Sequence, residues 1–197
     1  MDVLFAAALA VVATLYSAAG QAGGTGYVAL MGLAGFTPDT IKPTALALNV
    51  LVSAIGCIRF HRAGLLSWRI AYPFAVLSLP FSLIGGMLHL PPSTYQPVVG
   101  ALLLVAGIQM ARSIRITTAL DRDADVSPPF AASLLVGGLI GLVSGVTGVG
   151  GGIFLAPLVL SFGWATTRQT AAISVVFNLM NSATALAGTW ATLPLLP

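Results

Sequence analysis

Two glycine clusters, each inside a long apolar run, are the parts of this chain best suited to chemistry. The first is Ala22-Gly23-Gly24-Thr25-Gly26 and the second is Gly148-Val149-Gly150-Gly151-Gly152. An ungapped slide of 126 residues sets Gly24 on Gly150 and Gly26 on Gly152. It also sets Phe36 on Phe162, Thr40 on Thr166, Lys42 on Arg168, Thr44 on Thr170 and Ala45 on Ala171. Glycine lets the backbone turn sharply and bares its N–H groups. A half-helix starting after such a turn presents unpaired N–H groups and the positive end of its dipole. Together these form an anion site without any charged side chain. Gly24, Thr25 and Gly26 in one cluster, and Gly150, Gly151 and Gly152 in the other, are therefore candidate binding residues. The competing use of such clusters is close helix packing, since small residues let membrane helices approach.

Polar side chains inside apolar runs come next, because an amide in hydrocarbon must find a partner. Asn49 lies in the run after the first cluster; Ser174, Asn178 and Asn181 lie in the run after the second. Ser174 and Asn178 are four apart and share a helix face. Their partner is either another helix or a substrate oxygen. Gln21, Gln109, Ser17 and Ser144 are weaker candidates of the same kind. Lys42 and Arg168 each precede a span, and read either as gate cations that draw anions inward or as snorkelling interfacial anchors. No metal site is expected: His61 and His89 have no second ligand at suitable spacing, and Cys57 is alone. No cofactor is expected either, and the glycine clusters lack the Lys-Ser/Thr ending of a nucleotide phosphate loop.

The elements that must position these residues are membrane helices. Hydrophobic residues make up 57% of the 197-residue chain and charged residues 7%, against about 25% charged in soluble domains. The five acids are all Asp, none of them inside an apolar run. The net charge of +3 reflects loop arginines and does not call for nucleic acid. Residues 3–36 and 130–162 are each too long for one span: 34 residues would extend about 51 Å as a helix, against a hydrocarbon core of about 30 Å. A broken hairpin that turns at the glycines fits better than one tilted span. Residues 43–60, 70–90, 95–110 and 168–191 are the remaining spans. The arginines at 59–69 and 112–122 place those two loops in the cytoplasm. Trp68, Trp164 and Trp190 fall near span ends and read as interfacial anchors.

The expected fold is all-α: a polytopic transmembrane bundle of two pseudo-symmetric, inverted repeats with Gly-broken re-entrant helices. Residues 1–116 form the first repeat, 117–129 a cytoplasmic loop, and 130–197 a second repeat. The second repeat holds a hairpin and one span where the first holds a hairpin and three, so the chain is expected to be a fragment or a divergent short form. Discontinuous helices in inverted repeats are a recurrent plan of secondary transporters.

At Ser144-Gly145-Val146-Thr147-Gly148-Val149-Gly150-Gly151-Gly152-Ile153-Phe154-Leu155-Ala156-Pro157-Leu158, followed by Ala171 and Ser174, the chain resembles the TauE/SafE sulfite-exporter family. Copy one departs from that pattern, with Thr25 replacing a glycine and Met31 standing where the proline would be. The resemblance implies a multi-pass inner-membrane permease for small sulfur-containing anions such as sulfite or organosulfonates, not an enzyme, with homo-oligomers open. An anion channel or a structural subunit of a membrane complex are the alternatives. A saturable concentration dependence favours a carrier over a channel, and matched clusters favour either over a structural subunit.

Overall fold

A computed structural model describes residues 2–18, 20–117 and 128–192. The described residues form eight helices: α1 (Asp2–Ala18), α2 (Gly24–Leu33), α3 (Pro38–Arg62), α4 (Trp68–Met87), α5 (Pro92–Thr117), α6 (Phe130–Thr147), α7 (Gly152–Ser161) and α8 (Thr167–Thr192). Four of them, α3, α4, α6 and α8, are long and apolar enough to cross a membrane. Most of the loop expected at 117–129 lies outside the described residues.

Both glycine clusters break the helix. Gly20 and Gly23 have φ of 72° and 92°, and Gly148 and Gly150 have 78° and 76°. L-side chains rarely adopt this left-handed conformation. After each break the chain lies back along the helix it has left. Val12 and Tyr16 of α1 face Gly26 of α2, and the Phe5 and Phe36 rings meet at 5.3 Å. Likewise Gly151 sits against Ile140 of α6. Trp164, just past α7, packs on Phe74 near the start of α4, with ring centroids 5.9 Å apart.

The two broken segments share landmarks at a spacing of 128 residues, not 126. That spacing joins the starts of α1 and α6, both ends of α2 and α7, Gly20 with Gly148, and Gly35 with Gly163. A spacing of 129 pairs Asn49 with Asn178 and Ser53 with Ser182. An ungapped slide rewards chance matches among abundant Gly, Ala and Thr.

Small residues set the packing. The backbone oxygens of Phe74, Ser78 and Ser82 on α4 stand where Cβ atoms of Gly137, Gly141 and Gly145 on α6 would be. The constant register means that α4 and α6 run parallel at close range. Ser78 donates to Asn181 Oδ1 at 2.5 Å, Ser82 Oγ donates to the Asn181 carbonyl at 2.7 Å, and Gly86 meets Ala185, so α8 is parallel to α4 as well. On α3 and α8, Ser53 meets Asn178 and Gly56 meets Val175, which makes that pair antiparallel. Without a hydrophobic drive between helices in lipid, such close contact is what holds them. Gly141→Leu is therefore expected to cost at least about 1–3 kcal/mol, the usual range for overpacking. Gly138→Ala, whose Cβ would have 3.4 Å to Leu77 Cβ, should melt within a degree or two of wild type in detergent, about the effect of a few tenths of a kcal/mol.

Candidate functional site

The two breaks meet. A Cβ on Gly24 would collide with the Val149 carbonyl and come within 2.5 Å of Asn49 Nδ2. A Cβ on Gly150 would collide with Asn178 Oδ1 and lie 2.8 Å from Asn49 Nδ2. Gly152 sits 2.9 Å from the Ser174 carbonyl by the same measure. One asparagine from α3 and one from α8 thus flank the junction of both glycine clusters. Between them lies a cavity of about 10 Å³, lined by residues including Tyr16, Gly24, Thr25, Gly150, Ser174 and Asn178. It has room for about one water.

The walls offer donors. The first helical bonds after the breaks run from Tyr27 N–H to Gly23 O and from Phe154 and Leu155 N–H to Gly151 O. The amides of Gly24 and Thr25, and of Gly152 and Ile153, precede them and have no acceptor within their own helix. Ser174, only 1% exposed, lines the cavity with an Oγ that has no partner, and Asn49 Oδ1 is likewise buried and unpaired. Thr25 Oγ1 donates to Tyr16 Oη at 3.0 Å. Asn178 Nδ2 donates to Ser53 Oγ at 2.8 Å. By contrast the carbonyls at and just past the end of α6 are covered. Asn49 Nδ2 donates to the Gly148 and Val149 carbonyls at 3.4 Å, and Tyr95 Oη donates to the Thr147 carbonyl at 2.8 Å. Open amides and covered carbonyls favour a negative ligand.

Not every sequence candidate is here. Gly24, Thr25, Gly150, Gly152, Ser174 and Asn178 line the cavity, and Asn49 stands beside it. Gly26 faces Val12 and Tyr16, and Gly151 faces Ile140 and Phe177, so these two serve packing. Asn181 is tied to α4 and lies off the site. Lys42 and Arg168 occupy unlike places. Lys42 is 4% exposed, and its Nζ donates to the carbonyls of Gly85, Gly86 and Leu88 at 3.1, 2.7 and 2.7 Å. Those three bonds use all the donors an ammonium has. Arg168 is exposed on the first turn of α8. The spacing of 128 or 129 explains the mismatch, because it sets Thr170 or Ala171, not Arg168, opposite Lys42. Trp164, expected as an anchor, is buried and stacked 4.8 Å from Phe162.

Two residues at the site escaped the sequence reading. Tyr16 looks like one more apolar residue of α1. Ser53 could have been found: Asn49 and Ser53 are four apart, as are Asn178 and Ser182. Among the described residues no three His, Cys, Asp or Glu side chains cluster as a metal site would need.

A bundle of apolar helices, two of them broken around a buried polar cavity, is the build of a membrane transporter. Residues 4–196 match the family model described as sulfite exporter TauE/SafE, and the chain belongs to that family. It is 53% identical over 192 residues to a probable membrane transporter protein of Sinorhizobium fredii, covering 98% of this chain and 78% of that one. It is 30% identical over 144 residues to a probable membrane transporter protein of Methanocaldococcus jannaschii, covering 70% of this chain and 52% of that one. No solved structure matches significantly.

Proposed function

We propose that this protein carries small anions, sulfur oxyanions such as sulfite or organosulfonates among them, by alternating exposure of the cavity between its two glycine breaks. The observation that carries the reading is the meeting of both breaks, one from each half of the chain, at one buried polar space. The family description supports sulfur oxyanions as cargo. Two features support alternating access. First, the cavity has room for only about one water, so an oxyanion needs the breaks to move apart. Second, each hairpin tip abuts the first turns of the other half's long helix: Gly20 against Ala171, and Gly148 against Lys42. Paired with the antiparallel run of α3 and α8, this favours inverted repeats whose α2 and α7 are re-entrant. The halves then rock about the site, as in other transporters of this plan.

Counterflow in proteoliposomes tests the reading. Vesicles loaded with unlabelled sulfite should accumulate labelled sulfite transiently, with saturation. Linear, non-saturating flux would favour a channel, and no flux of sulfite, sulfonate or sulfate would remove the carrier reading. Ser174→Ala, which removes the unpartnered hydroxyl at the cavity wall, should weaken binding by about 1.5–3 kcal/mol, the worth of a hydrogen bond to a charged group, measured as a rise of about tenfold or more in half-saturating sulfite.

A further inference from the structure

We infer that the site selects monoanions over dianions of the same shape. This rests on the carrier reading above and concerns the charge its cavity can hold. Two helices of 10 residues, α2 and α7, begin at the cavity. A helix N-terminus is worth about half a positive charge, so two supply at most about one. Nothing adds to that. Among the described residues that line the cavity there is no Lys, Arg or His. Lys42 spends its ammonium on three carbonyls elsewhere.

The remaining groups work against a second negative charge. Asn178 Oδ1 faces the same space, at the position a Cβ of Gly150 would take. The carboxamide oxygen of Asn49 is buried beside it with no donor. Ser174 Oγ, buried and unpartnered at the cavity wall, is a neutral ligand that can donate one hydrogen bond. One negative charge therefore meets open amides and one hydroxyl. A second would stand uncompensated among carbonyl oxygens, and burying an unpaired charge is costly. The cargo this chemistry fits is a compact oxyanion of single charge: an alkanesulfonate, or an oxyacid that keeps one proton.

Equilibrium dialysis of the purified full chain in detergent tests this with methanesulfonate and methyl phosphate. Methanesulfonate keeps one charge throughout, whereas a phosphate monoester loses its second proton near pH 6. Across that window the cavity lining holds no Asp, Glu or His to change charge with it. Methanesulfonate should bind alike at about pH 5 and about pH 8, and methyl phosphate at least about tenfold more weakly at the higher pH. Sulfate should compete poorly with methanesulfonate at both. If methyl phosphate binds equally across the range, or sulfate matches methanesulfonate, the charge rule is wrong while an anion site remains. If none of the three binds, the carrier reading beneath it fails too.

Discussion

Gly150→Val is expected to abolish anion binding and exchange while the protein still inserts and folds. Gly150 has φ of 76°, and its missing Cβ is what lets the backbone approach Asn178 Oδ1 and Asn49 Nδ2. A valine there fills the cavity and displaces both asparagines. The left-handed conformation adds about 1–3 kcal/mol of strain, so loss of function could reflect strain alone. Gly163→Val separates the two. Gly163 has φ of 66° with nothing within 4 Å of its Cβ position, so valine there carries the same backbone cost without touching the site. Gly163→Val should keep exchange and Gly150→Val should not, measured by counterflow beside gel-filtration profiles. Gly151 is a poorer choice: a Cβ there would press on Ile140 and Phe177 at 2.6 Å, so its substitution reads out packing.

Lys42→Met should destabilise the protein strongly although it nearly conserves volume. The methionine fills similar space, but the Leu88 carbonyl loses its donor, Gly85 O retains only the Leu88 N–H at 3.2 Å, and Gly86 O retains only Thr189 Oγ1 at 3.1 Å. Hydrogen bonds to a charged group contribute about 1.5–3 kcal/mol each, and an abandoned buried acceptor costs about 1–3 kcal/mol. These are not additive, and about 3 kcal/mol is the expected total. A shift of about 2–4 °C per kcal/mol then gives a fall of about 6–12 °C in Tm in detergent. Arg168→Met, on an exposed first turn, should change Tm little, since exposed substitutions away from such features stay within about 0.5 kcal/mol. Equal effects at the two positions would mean that Lys42 is not the latch between α3 and α4 that its bonds describe.

Much of this was legible because the membrane leaves few options. Apolar runs had to be helices, and a 34-residue run with glycines at its middle had to break. Buried amides four or three apart on one helix had to find partners. What the sequence hid was which partner each one found. Asn178 and Asn181 look alike in sequence, yet one stands at the junction of the breaks and the other fastens α8 to α4. Gly150 and Gly151 are neighbours, yet the turn aims one at the cavity and the other at Phe177. The two cations at matched places in a slide of 126 proved to sit in unlike surroundings, and the helix bounds fall at spacings of 128 and 129 instead. Handedness of a break and the side to which each residue points are decided by tertiary contact, and no local pattern records them.

The most direct test of the central claim is substrate protection at Ser174. In a Cys57→Ser background, Ser174→Cys places a thiol of nearly the same size at the wall of the cavity, where the native hydroxyl has no partner. A small anionic methanethiosulfonate reagent should modify it in proteoliposomes, and saturating sulfite or methanesulfonate should slow that modification by about tenfold, the protection given by an anion held with about 1.4 kcal/mol beyond half-occupancy. A thiol at Ser174 that reacts at the same rate with and without every anion tested, in protein that still exchanges substrate, would place the site away from the two glycine breaks.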